Sequence, residues 1–324
     1  MGYKLAGFDV IGCNEIDPRM NRVYVENHHP KFNYLQPIQE FKLRKDLPAE
    51  LYNLDILDGS PPCSSFSTAG DRQDGWGVEK HFREGQTKQI LDTLFFDFID
   101  LAKELQPKIV IAENVKGLLI GEAKKYVARI YAEFDAAGYT LCHTLLDAST
   151  MGVPQARERV FFTAIRKDLL QYIPQHQTLF EALPVIDLKF KEPPITMEGI
   201  ADFKGRRIDQ NSKFYELWSK RQHGDKTLGD VNERLYGKIS YFSQGLTYRD
   251  EVCPTLTSEQ NCRIHYDEPC LMSASEIICV STFPQDYDFG IEDTMYICGM
   301  SVPPVMMAQV ASRVYDQWLS KIPK

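Results

Sequence analysis

The chain has 324 residues, 43% of them apolar and 25% charged, and a net charge of −8, which describes a soluble globular chain of one large domain or two smaller ones. No run is long enough to span a bilayer and no signal peptide opens the chain; the eight cysteines form no C-x-x-C pair, which argues against a zinc site or a disulfide framework and for a reducing cytoplasm. The net charge speaks against nucleic acid only as a mean, because polyanion binding depends on where the positive residues cluster.

Residues 1–18, MGYKLAGFDVIGCNEIDP, predict a helix tail ended by Gly7 and a short strand from Phe8 to Cys13, followed by Asn14, Glu15 and Asp17. A carboxylate ending the second strand of a doubly wound sheet commonly holds a ribose diol, so Glu15 is a candidate; it also reads as a solvated acid opening the helix at Pro18. A second strand, Leu54 to Leu57, runs into Asp58–Gly70, DGSPPCSSFSTAG. Pro61 and Pro62 fix φ and remove donors, so strand pairing stops and Cys63 is presented on a rigid turn. A thiol held so could be a nucleophile, although a lone cysteine is more commonly inert and buried. Residues 66–89 carry no apolar period but four glycines (Gly70, Gly75, Gly77, Gly85), which predicts a mobile lid directly after the candidate nucleophile.

Apolar residues at helical spacing from Ile90 to Leu105 predict a helix stopped by Pro107, and Ile109 to Ala112 a buried strand leading to Glu113 and Asn114. Another helix carries Val127, Ile130, Tyr131 and Phe134 and ends at Gly138; strands near 140–145 and 160–165 bracket MGVPQARER. Strand and helix alternate over residues 1–165, as a doubly wound α/β fold with a mostly parallel sheet requires. From about residue 170 the pattern degrades, which points to a smaller second domain. Within it, residues 204–226 hold seven Lys or Arg against three acids, with Phe214, Tyr215 and Trp218 interleaved, a composition that suits a phosphate backbone and exposed bases and equally a solvated helix face. A final helix is expected from Val305 to Leu319.

The segments GSPPCSSFS, TLFFDFIDL, IVIAENVKGL, GVPQARERVFF, PTLT and GMSVPP stand in the order and rough spacing of the DNA (cytosine-5) methyltransferases, and on them the chain resembles that family from Gly2 to the C-terminal helix. The likeness is weakest between about 170 and 245, where the family places its variable target-recognition domain. It implies a methyltransferase fold with a catalytic domain over 1–168, a target-recognition domain over 169–250 and a C-terminal segment over 251–324 that returns to the catalytic domain.

The same resemblance implies an assignment of roles. Carbon 5 of cytosine is a poor nucleophile, so the ring is first activated by covalent addition at carbon 6, a job for a thiolate, and Cys63 fills it. Glu113 would meet ring nitrogen 3, and Arg159 with Arg157 would hold the base oxygen and orient the acid. The implied cofactor is S-adenosylmethionine, with Glu15 and Ile16 at the ribose, Glu40 and Phe41 at the adenine, Pro62 and Leu94 lining the pocket, and Ser301 and Val302 closing it. Ser64, Ser67, Arg206, Arg207, Lys220, Arg221 and Thr257 would face double-stranded DNA, and no metal is expected. Two departures stand out. The usual Gly-Asn-Ser reads Gly299, Met300, Ser301, which loses an amide. The chain also starts just after the family's first strand and glycine-rich loop, a strand that normally lies between those ending at Glu15 and Gly59.

The resemblance further implies a cytoplasmic monomer, of the kind paired with bacterial restriction enzymes or carried by phages. Competing readings are an inert DNA-binding remnant of such an enzyme and a cysteine hydrolase using Cys63 with His143; an RNA substrate is a variant of the first. The target sequence is not legible.

Overall fold

The computed structural model describes residues 1–62, 93–121, 123–177, 182–237, 242, 244–259 and 263–323. In chain order the first elements are helix α1 (Gly2–Leu5), strand β1 (Gly12–Glu15), α2 (Pro18–His28), β2 (Phe32–Leu35), α3 (Ile38–Phe41) and β3 (Ile56–Gly59). After them come α4 (Leu94–Leu105), β4 (Ile109–Val115), α5 (Ala123–Ala136), β5 (Tyr139–Asp147), β6 (Gln155–Ala156), β7 (Glu158–Arg166), β8 (Gln175–Gln177) and β9 (Ala182–Pro184). The remainder holds α6 (Lys213–Ser219), α7 (Leu228–Tyr236), β10 (Gly245–Thr247), β11 (Cys253–Pro254), β12 (Arg263–His265), α8 (Ala274–Val280), α9 (Thr294–Met300) and α10 (Pro304–Gln317). No helix among the described residues is long and apolar enough to cross a membrane.

The chain divides into two compact units. One comprises residues 9–146, 158–189 and 310–324; the other comprises 1–8, 147–157 and 190–309.

The first unit is built on a four-stranded sheet of order β3-β4-β7-β5 and a parallel pair, β1-β2. β4 is buried from Ile109 to Asn114, as the continuous run IVIA demands of a strand covered on both faces. α4 presents Phe95, Phe98, Ile99 and Ala102, and α5 adds Tyr126, Ile130 and Phe134; with Val110, Ala112 and Phe162 they form one cluster over the sheet, while Leu101 and Leu105 of α4 pack with Phe41, Leu47 and Leu51 in another. The helices stop where the sequence says they must: Gln106 and Gly138 take left-handed conformations, the first beside Pro107. β3 runs parallel to β4 and β7 antiparallel to it. Only about ten residues join β5 to β7, too few for the crossover that a parallel neighbour needs. Gly59 ends β3 directly under the Phe98 ring, where a Cβ would collide with that ring.

β1 begins four residues later than its apolar content suggests, since its ladder with β2 pairs Gly12 with Phe32 and Glu15 with Leu35. Asn14 lengthens it, its amide donating to the Tyr34 and Gln36 carbonyls at 3.1 and 2.8 Å. Among the described residues no strand pairs with the other edge of β1 or with the outer edge of β3. The break falls where the resemblance leads one to expect a further strand. β1 and β3 are correspondingly only half-buried, and Asp58 is exposed in mid-strand.

In the second unit, Leu217 and Trp218 of α6, Leu228 and Val231 of α7, Leu246 of β10, Tyr248 and Ile264 of β12 form a separate core. β10 and β12 are parallel, and β6 pairs with β11. α7 and α8 open on reciprocal capping boxes, Thr227 with Asp230 and Ser273 with Glu276.

Candidate active site

The polar end of β4 organises the site in the first unit. Past Ala112, which faces Gly59 across the ladder, the strand changes from apolar to Glu113 and Asn114, both buried. Asn114 reaches back to the β3 side: its Nδ2 donates to the Pro61 carbonyl at 2.9 Å while its Oδ1 accepts the Val115 N–H at 2.9 Å. The Pro61 carbonyl, two residues before Cys63 in sequence, is thus tied to the strand that carries Glu113. Cys63, Ser64, Ser67 and the whole 66–89 stretch lie outside the described residues.

Glu113 is gripped from the other neighbour. β7 pairs Val115 with Arg159, and the Arg159 Nε lies 2.8 Å from Glu113 Oε1, with both side chains largely removed from water. One Arg159 Nη also donates to the Glu158 carbonyl at 2.8 Å, which fixes the plane of the guanidinium. Outside this pair, Lys116 and Glu158 form a more exposed ion pair at 2.8 Å. A largely buried carboxylate paired with a hydrogen-bonded arginine is held in one orientation.

His143, the partner that a cysteine hydrolase would need, is exposed on β5, at the opposite edge of the sheet from β3. It is bonded to Tyr131 at 2.7 Å, and partial desolvation of the ring, exposed only in part, holds its imidazole below the usual value.

Glu15 ends β1 with one carboxylate oxygen taken by the Ile16 and Asp17 N–H groups at 2.7 and 2.9 Å, and the other carries no hydrogen bond among the described residues. Burial, the largest cause, raises its carboxyl above the ordinary range. The helix start at Pro18 is capped by Asp17, not by Glu15. Such a strand-end carboxylate, with one oxygen anchored and the other open, fits a ribose diol. Glu40 is exposed, Phe41 is buried against Tyr34, Leu101 and Leu105, Leu94 is buried at the start of α4, and Pro62 is exposed. These candidates, with Ile16, all sit in the first unit.

In the second unit Arg157 is buried, its Nη atoms donating at 3.0 Å to the Leu256 carbonyl of PTLT and to the Gly299 carbonyl of GMSVPP. Gln155 adds to the clamp by accepting the Leu256 N–H at 3.2 Å. Sequence reading misses this staple because its partners lie 99 and 142 positions away. Gly299 passes so close to the Thr257 carbonyl that a Cβ there would overlap it. Gly299→Ala is therefore expected to destabilise the chain by about 1–3 kcal/mol, the usual cost of overpacking, read as a fall in the thermal midpoint; an unchanged midpoint shows that the two segments separate freely. Ser301 caps α9, its hydroxyl donating to the Ile297 carbonyl at 2.7 Å, and Val302 follows it. Thr257 is half-buried.

Of the basic segment, Arg206 is exposed, Arg207 makes an exposed ion pair with Glu268 at 2.6 Å, and Lys220 pairs with Glu216 at 3.4 Å. Arg221 is committed to the fold: it lies 3.5 Å over the Trp218 ring and 4.7 Å from that of Tyr266, donating to the backbone carbonyls of both residues. No group of metal ligands occurs among the described residues.

The model of the C-5 cytosine-specific DNA methylase family matches residues 1–316. A type II methyltransferase of Neisseria gonorrhoeae, M.NgoPII, is 36% identical over 97% of this chain and 91% of its own length; M.FnuDI of Fusobacterium nucleatum, also type II, is 28% identical over 99% and 92%. Among solved structures, a prophage-encoded DNA modification methyltransferase of Escherichia coli superposes with a TM-score of 0.64 at 20% identity, covering 98% of this chain and 94% of that one. Spodoptera frugiperda DNMT2 gives 0.61 at 16%, covering 97% and 95%.

Proposed function

Since the chain belongs to the C-5 cytosine-specific DNA methylases and is by that membership a DNA cytosine-5 methyltransferase, we propose that it works by covalent addition of Cys63 to a cytosine swung out of duplex DNA. The observation that carries this reading is the Glu113–Arg159 pair, set beside a Pro61 carbonyl that Asn114 clamps in place.

In the proposed reaction the Cys63 thiolate adds to carbon 6, forming an S–C bond as the carbon 5–carbon 6 π pair shifts through carbon 4 onto nitrogen 3, leaving carbon 5 enamine-like. Glu113, held by Arg159, hydrogen-bonds or protonates nitrogen 3, and Arg159 meets the charge that develops on the exocyclic oxygen. Bound S-adenosylmethionine would supply the electrophilic methyl group to carbon 5. A base then removes the carbon 5 proton, and the returning electron pair breaks the S–C bond and frees Cys63. Base flipping precedes all this, because carbon 6 is out of reach inside a duplex. Glu15 and Ile16 would hold the cofactor's ribose, Glu40 and Phe41 its adenine, with Pro62, Leu94, Ser301 and Val302 around it. Arg157, donating to two carbonyls, acts as a positioning residue for the PTLT and GMSVPP segments. The names of the relatives support a restriction endonuclease counterpart acting on the same site.

Bisulfite sequencing of DNA from cells expressing the chain tests the reading. Protection of cytosines in a fixed sequence context is expected; uniformly converted DNA overturns it. That no strand among the described residues pairs with the outer edges of β1 and β3 favours a second reading, a DNA-binding chain that holds cofactor weakly. Calorimetric titration with S-adenosylmethionine separates the two.

Arg206 and Arg207 would meet the DNA backbone, with Lys220 beside them and Ser64, Ser67 and Thr257 nearer the reacting base. The exposed Arg207–Glu268 pair holds its guanidinium weakly enough to be exchanged for a phosphate. Replacing both arginines by alanine is expected to weaken binding to all duplexes and to lower the salt slope by about one unit for each phosphate no longer neutralised. Binding like the parent's at every salt concentration makes the segment a solvated face.

A further inference from the structure

Outside the catalytic residues, the second unit holds a pocket of about 400 Å³. Its aromatic side is Tyr248 and Tyr266, stacked with ring centroids 4.5 Å apart, with the exposed His223 edge-on to Tyr248. Its charged rim is Glu198, Arg249, Asp250 and Asp267.

Two features mark this rim. The first is rigidity. Tyr248–Glu251 is a turn whose Glu251 carbonyl accepts the Met197 N–H at 2.9 Å; the Tyr248 hydroxyl donates to the Asp225 carbonyl at 2.7 Å and accepts the Gly224 N–H at 3.1 Å. Arg249 and Asp250 therefore stand at the tip of a turn pinned at both ends. The second is that neither side chain is used by the fold: Arg249 and Asp250 make no hydrogen bond or ion pair among the described residues, with each other or with a neighbour. Nearby cations in this unit differ, since Arg207, Arg221 and Arg234 are all engaged.

A rim with three carboxylates repels a phosphate backbone. Against duplex DNA a carboxylate is tolerated where it meets an amino group on a base edge, and cytosine N4 offers one in the major groove; an arginine beside it matches the two acceptors of guanine, O6 and N7. On the reading of the chain as a DNA cytosine-5 methyltransferase, we propose that Arg249 and Asp250 read one G·C pair of the target, Arg249 donating to the guanine and Asp250 accepting from its cytosine. They would then set specificity and take no part in transfer.

The test is binding of the full chain and of its Arg249→Ala and Asp250→Ala variants to a library of randomised duplexes, sequenced after selection, with circular dichroism melting to show that each variant folds. The parent is expected to select a fixed sequence. Both variants are expected to lose preference at the same G·C position by about 5- to 150-fold, with the other positions and the salt slope unchanged. Parental preference in either variant overturns the proposal. So does uniform weakening with a shallower salt slope, which would mark a phosphate contact. Because selection does not need methyl transfer, a parent that selects a sequence but leaves it unmethylated sinks the transfer reading and leaves the pocket to be judged on its variants; a parent that selects no sequence overturns the pocket.

Discussion

Cys63→Ser is expected to lower methyl transfer by at least about a thousandfold while duplex binding stays within a few-fold of the parent's, since a serine hydroxyl is close in size to the thiol and far from ionised at neutral pH. The structure sharpens this expectation. Pro61 is buried and its carbonyl is tied to Asn114, so the backbone entering position 63 is set by interactions the substitution does not touch. A loss of activity with binding kept can then be assigned to the sulfur and not to a displaced Pro61. The measurement is incorporation of labelled methyl groups into duplex DNA, with binding followed by anisotropy on the same preparations. A serine enzyme that turns over within tenfold of the parent shows that covalent addition by Cys63 is not the route. Asn114→Ala supplies a contrast, because it leaves the thiol in place but frees the turn; a smaller loss than that of the serine variant is expected.

Much of the first unit could be read directly from residues. α4, β4 and α5 follow from strong apolar periods with glycine, proline or left-handed stops, and these are local signals that tertiary packing then reinforces. The same holds for the place of Glu113, since a strand whose side chains switch from IVIA to EN must surface there. What was not legible depends on partners distant in sequence. β1 is shifted because its register is decided by β2 and by the Asn14 amide, and apolar content is blind to both. β7 runs against β4 because of a short connection that a strand count does not weigh. Arg157 looked like the twin of Arg159 from their spacing, yet its guanidinium is directed to the carbonyls of Leu256 and Gly299. The basic segment illustrates the same limit: seven positive residues suggest an open cationic face, while Arg221 is engaged in aromatic stacking and backbone hydrogen bonds, and Arg249, the unengaged arginine of the pocket rim, lies outside the segment.

The second large effect is expected at Glu113. Glu113→Gln keeps the length and an oxygen that can still face Arg159, but the amide has no acid proton to give, so transfer should fall by about a hundredfold or more, the scale of general acid catalysis. The substitution also leaves the Arg159 guanidinium, largely removed from water, without its counter-charge, which is a stability cost apart from the chemical one. The two are separable. Arg159→Met, which removes the charge and keeps the bulk, should restore much of any lost thermal stability in the Glu113→Gln background and none of its activity. Since the arginine is proposed both to orient the glutamate and to meet the exocyclic oxygen, the activity losses of the single variants should be partly non-additive, the double variant being slower than Glu113→Gln but by less than the full loss of the arginine variant. Fully additive losses would mean that the arginine meets the base but does not orient the carboxylate. An unchanged rate in Glu113→Gln would move the acid to another residue, and the 2.8 Å pair would then be a structural brace between β4 and β7.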